Sequence, residues 1–108
     1  MTSLHIKSRD AMKLIKKWAI EYQIEKKRLN YYRYRVSEEE YLLRYKNSSV
    51  EIFDRAFARL SEHEKMLLDH ELFIDAFPFW WESLYSRSTY FRLKKQTCIK
   101  FFISLFVS

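Results

Sequence analysis

Not one of the 108 residues is glycine, and only one, Pro78, is proline. Tight β-hairpins and phosphate-cradling loops depend on glycine for a positive φ that other residues adopt only at a cost. β-rich folds, P-loops and Rossmann turns are therefore disfavoured together. Helices joined by short polar connections need no such residue, and the expected fold class is all-α. Aromatic residues make up 19% of the chain, which supplies the apolar bulk for one modest core. The length is that of a single domain, residues 1–108. It divides into an N-terminal helical support (1–47) and a C-terminal helical bundle (48–108).

Apolar periodicity and capping signals divide the chain. Ala11, Ile15, Trp18, Tyr22, Leu29, Tyr32 and Val36 recur at spacings of three and four if Glu25 is counted as one seam position. That pattern predicts a long amphipathic helix from Ser8 to about Arg35. The seam would brace the rest of the domain, or alternatively join two copies as a homodimer through this helix. Three S-x-x-E matches follow: Ser37 with Glu40, Ser48 with Glu51, and Ser61 with Glu64. In each, the serine hydroxyl can accept from an unpaired amide while the glutamate reaches back to the cap. They predict helices over 38–46, 49–60 and 62–73. Pro78 suits the first turn of a short helix, "PFWWESL", because its missing N–H costs nothing there. Ser86 then suits the N-cap of a last helix running from Arg87 to about Leu105.

The charge is distributed in blocks. Residues 1–36 hold ten Lys/Arg against three acids, residues 37–84 five against eleven, and residues 85–108 five against none. The basic ends could meet a polyanion, or the acidic middle could satisfy them within one bundle. The single cysteine, Cys98, cannot form an intramolecular disulfide, and no Cys/His cluster has zinc-ligand spacing. The apolar stretch "IKFFISLFVS" is too short to span a bilayer and is expected to pack into a core or against a partner. A soluble, cytoplasmic protein with no membrane partner is expected.

The segment "RLSEHEKMLLDHELF…PFWWESLYSRSTYFRLKKQTCIKFF" resembles the helix-turn-helix of sigma-70 region 4. The closest variant is that of ArpU-type phage transcriptional regulators and their small uncharacterised mycoplasma relatives. Leu60, Ser61 and Glu64 match the opening of the family's preceding helix. Tyr85 to Lys95 match its Y-S-R-S-T-Y-Y-R-L-K-K type of recognition helix, with Phe91 at the second aromatic position. The likeness covers roughly residues 59–103. Trp80 and Trp81 within the first helix of the pair, and Leu84-Tyr85 in place of a glycine turn, depart from the family's pattern. The resemblance implies a DNA-binding transcriptional regulator whose partners are double-stranded DNA and, as this family also contacts it, RNA polymerase.

The residues make a physical case beside the resemblance. A helix that enters DNA needs an acid-free N-terminus, because its amides and dipole favour a phosphate there. Ser88, Phe91 and Arg92 are the candidates for base edges: arginine pairs bidentately with guanine, and an aromatic edge meets a thymine methyl. Arg87, Lys94 and Lys95 are placed for phosphates, which fix register without reading sequence. Tyr90 and Leu93 fall on the opposite, core-facing side. The competing reading of the same residues is a solvated, lysine-rich helix face. A protein–protein module docking on RNA polymerase or another regulator, or a helical oligomer, are the further alternatives.

Other clusters carry blander expectations. "NYYRYR" (30–35) reads as packing with snorkelling cations rather than base stacking. His63 and His70 lack a third convincing ligand and read as surface residues, so no metal is expected. Trp80 and Trp81 read as core anchors, and Cys98 as a buried structural thiol. No nucleophile, base and oxyanion donors assemble, so neither catalysis nor a cofactor is expected.

Overall fold

In a computed structural model, residues 7–74 and 78–106 are described, and they contain five helices and no strand. The helices are α1 (Ser8–Arg33), α2 (Glu38–Lys46), α3 (Ser49–Ala58), α4 (Glu62–Leu72) and α5 (Arg87–Phe106). The all-α expectation and the long N-terminal helix are both present. Over its 26 residues α1 extends about 39 Å. It ends two residues before the expected Arg35, where Arg35 N–H and Val36 N–H both donate to the Tyr32 carbonyl in a closing turn.

The serine caps set the helix starts. Ser37, Ser48 and Ser61 each accept from the amide of the glutamate three residues on. Only at Ser61 does the glutamate answer: the Ser61 amide donates to Glu64 Oε1 at 2.8 Å, closing a full capping box. Each cap of this kind stabilises its helix by about 1 kcal/mol.

The seam of α1 is turned inward on its own chain. Ala11, Ile15, Ala19 and Leu29 are buried, Tyr22 stacks on Phe53 at 4.3 Å, and Trp18 meets Phe106 edge-on at 5.2 Å. The helix braces α3 and α5 in the way the periodicity suggested. At the centre, Phe53 of α3 and Phe101 of α5 pack edge to face at 5.0 Å. Leu67 and Leu68 close the core from α4. Fully burying each of these side chains contributes about 1.5–3 kcal/mol.

No residue of α2 is buried; polar and cationic contacts attach it instead. Tyr45 of α2 and Tyr22 of α1 both donate to the Asp54 carboxylate of α3, each at 2.9 Å. Arg44 lies 4.3 Å from the Tyr32 ring and Arg35 lies 3.8 Å from the Tyr31 ring. Tyr31, Tyr32, Arg33 and Arg35 of the 30–35 cluster are thus engaged in local packing, whereas Tyr34 is 88% exposed.

The short helix expected over 78–84 is a correction. Residues 78–85 form consecutive turns, in which Glu82 N–H donates to Phe79 and both Leu84 and Tyr85 N–H donate to Trp81. Seven residues give too few i→i−4 bonds to offset nucleation, so aromatic packing rather than helix propensity dictates the path. The C-terminal stretch is buried as expected at Phe101, Phe102 and Leu105, whereas Val107 and Ser108 lie outside the described residues.

Candidate nucleic-acid interface

α5 has two halves with different surroundings, and its position follows from that division. In the second half Thr97, Cys98, Phe101, Phe102 and Leu105 are buried within one arc of roughly 140°, while Lys100, Ile103 and Phe106 are exposed. In the first half Tyr90 alone is fully buried. The indole of Trp81 stacks on the Tyr90 ring at 4.4 Å and 7° between planes. The Tyr90 hydroxyl donates to the Glu71 carboxylate of α4. The turn segment ahead of α5 is fastened to α4 at two further points. The His70 ring stacks on Trp80 at 4.2 Å, and His63 Nδ1 lies 2.9 Å from the Tyr85 hydroxyl. The two histidines are thus engaged in packing, and among the described residues no three His, Cys, Asp or Glu gather in a metal-holding group.

The N-terminus of α5 is capped as the sequence predicts. Ser86 Oγ accepts from the Thr89 amide at 3.3 Å and donates to Thr89 Oγ1 at 2.8 Å. No acid stands in the first turn. Arg87, Ser88, Phe91, Arg92 and Lys95 are all exposed, and at about 100° per residue they fall within one arc of roughly 140°. Phe91 is 49% exposed, with the Arg87 guanidinium 5.8 Å from its ring. Leu93 packs against the core. The structure therefore brings five of the six expected residues together on a single outward face.

The sixth, Lys94, is set apart. Its ammonium lies 3.8 Å from Glu71 and 5.8 Å from the Tyr90 ring, at the edge of the face. Further along, Lys100 pairs with Glu64 at 3.0 Å. Burial pushes the Glu64 carboxyl up, but the Ser61 amide and the Lys100 ammonium outweigh it and hold the group below its usual range.

These two pairs answer the question raised by the charge blocks. The remaining ion pairs among the described residues lie within single helices: Arg28–Glu25, Arg44–Glu40, Arg55–Glu51 and Lys65–Glu62. The acidic middle thus satisfies Lys94 and Lys100. It leaves Arg87, Arg92 and Lys95 without a carboxylate partner among the described residues.

A feature the sequence reading missed lies beside this face. A groove of about 360 Å³ between α1 and α5 is lined by Ser8, Arg9, Lys13 and Lys16 from α1 and by Phe91, Lys94 and Lys95 from α5. Met12 and Cys98 form its apolar floor, and no acid lines it. The signal was present in the spacing: positions 9, 13 and 16 are i, i+4 and i+7, one stripe of a helix. Burial pushes the Cys98 thiol up to about 11, Lys94 and Lys16 partly opposing the shift.

No helix of the described residues is long and apolar enough to cross a membrane. Comparison with protein families, with curated proteins and with solved structures finds no match to the chain.

Proposed function

We infer that the protein is a non-enzymatic transcriptional regulator that binds double-stranded DNA through the first half of α5. The observation that carries this reading is the outward face of Arg87, Ser88, Phe91, Arg92 and Lys95. It is acid-free, capped at Ser86 and mounted on a helix whose other half is locked in the core. Arg87 and Lys95 contact phosphates, while Ser88, Phe91 and Arg92 meet base edges in the major groove. Lys94 acts as a weaker phosphate contact because Glu71 shares its charge. α5 plays the part of the second helix of a sigma region 4-like helix-turn-helix, with the turns of 78–85 standing where the first helix of the pair was expected.

The reading is tested by duplex titration over a range of salt concentrations. Log affinity should fall with log salt at a slope of roughly −0.9 per phosphate neutralised. Replacing Arg87, Arg92 and Lys95 together by alanine should flatten the slope by up to about 2.7 and weaken binding. Salt-independent binding, or none to any duplex with the fold intact, refutes it. Phe79 at 61% and Leu84 at 55% exposure favour a second reading, a module docking on RNA polymerase or another regulator. Recovery of polymerase subunits by a protein that binds no duplex would establish that alternative.

A further inference from the structure

We propose that α1 is a second DNA contact: the groove between α1 and α5 receives a stretch of the sugar-phosphate backbone, gripped by Arg9, Lys13 and Lys16 on one wall and by Lys94 and Lys95 on the other. This rests on the reading of α5 as the DNA-binding helix, and it assigns to α1 a role beyond bracing the core. Five cations and no acid line the groove, so its complement is a polyanion. Arg9, Lys13 and Lys16 are exposed and have no carboxylate partner among the described residues, so no internal pair must break before they bind.

The dimensions fit a strand of phosphates better than a single anion. From Arg9 to Lys16 the helix rises about 10 Å, which matches the axial rise of about three nucleotides on one strand. The floor of Met12, Cys98 and the Phe91 ring is apolar, and apart from the cations only the Ser8 hydroxyl could orient a small ligand. A deoxyribose edge, in contrast, can lie on such a floor while its phosphates reach both walls. Phe91 and Lys95 belong to the groove and to the outward face of α5 alike, so the two surfaces are continuous. A duplex seated with α5 in its major groove would bring an adjacent strand to α1.

The test compares three full-length proteins by fluorescence anisotropy on one 20-base-pair duplex at several sodium chloride concentrations. In Arg9→Ala/Lys13→Ala/Lys16→Ala the salt slope should become shallower by up to about 2.7, roughly 0.9 per lost contact. A control, Lys17→Ala/Lys27→Ala/Lys46→Ala, removes the same charge from exposed positions outside the groove and should keep the wild-type slope. Circular dichroism should show both variants folded, since every substituted side chain is exposed. An unchanged slope in the α1 variant, or an equal flattening in the control, overturns the α1 contact while leaving DNA binding by α5 intact. Failure of the wild-type protein to bind any duplex overturns both readings. Tighter binding to single strands or to anionic vesicles than to duplex overturns the assignment of the groove to a duplex backbone.

Discussion

Asp54 is the point at which three helices are tied by polar contacts, and its removal tests how the N-terminal support is held. The carboxylate accepts one hydrogen bond from Tyr22 of α1 and one from Tyr45 of α2, both at 2.9 Å. Hydrogen bonds to a charged group contribute about 1.5–3 kcal/mol each. Both tyrosines are only partly buried, so water restores some of the loss and each bond contributes about 1–1.5 kcal/mol. Asp54→Ala should therefore cost about 2–3 kcal/mol. A domain of this length loses about 4 °C of Tm per kcal/mol, so the melting point should fall by about 8–12 °C in a circular dichroism melt. Tyr22→Phe and Tyr45→Phe should each cost about 1 kcal/mol in the native background and close to nothing beside Asp54→Ala. The same contacts act on the phenols: burial first, and then the bond to Asp54, raise Tyr22 well above its usual value and push Tyr45 up to about 12. Because the folded value exceeds the unfolded one, this contribution is fully present below about pH 10 and is lost as pH rises through the folded value. A drop of less than 2 °C in Asp54→Ala, or tyrosine substitutions that cost as much without Asp54 as with it, would refute the reasoning.

Two further outcomes test the core behind α5. Thr97 is fully buried and its hydroxyl has no hydrogen-bond partner among the described residues, so Thr97→Val should stabilise by about 1 kcal/mol; a lower Tm would show that the hydroxyl is satisfied. Cys98 is buried with a thiol pushed up to about 11, so at pH 8 the native protein should react with an aromatic disulfide reagent far more slowly than the urea-unfolded chain; equal rates would refute this. The thiol's raised value also contributes stability below about pH 8.5, lost as pH climbs towards 11.

Where one signal dominated locally, the sequence carried the structure. The caps at Ser37, Ser48, Ser61 and Ser86 place four helix starts, because a hydroxyl three residues from an orphan amide acts without help from tertiary packing. The α1 seam was legible for the same reason, as Ala11, Ile15 and Leu29 all lie on its buried stripe. Residues 78–84 were misread because their conformation is decided by distant partners. Trp80 and Trp81 seek the His70 and Tyr90 rings, and neither contact can be read from spacing. The outward residues of α5 followed from helical periodicity about Tyr90 and Leu93. The α1 wall of the groove was missed because the wall is a property of how α1 and α5 pack. Arg9, Lys13 and Lys16 look like an ordinary solvated stripe until Lys94 and Lys95 stand opposite them.

The placement of charge distinguishes these surfaces from the rest of the molecule. On each of α1, α2, α3 and α4 one cation is paired with an acid one turn away, Arg28, Arg44, Arg55 and Lys65, while exposed cations such as Lys17, Lys27 and Lys46 stand apart from one another. Glu64 and Glu71 show that the fold can also bring carboxylates onto α5. At the groove five cations converge with no acid in the lining, and of them only Lys94 has a carboxylate neighbour among the described residues, Glu71. Like charges held about 8 Å apart in water repel by about 0.5 kcal/mol a pair, and salt at physiological strength screens part of that. One glutamate among the groove's exposed positions would relieve the repulsion. A polyanion relieves it too, and every counterion it displaces or sheds adds to binding. The cost of leaving these cations unpaired is small: on α5 it falls on the half that contributes least to the core, and on α1 on exposed positions beside the buried Ala11 and Ile15. Phe101, Phe102 and Leu105 anchor the helix from its other end, so the basic half can carry this repulsion without loosening the fold.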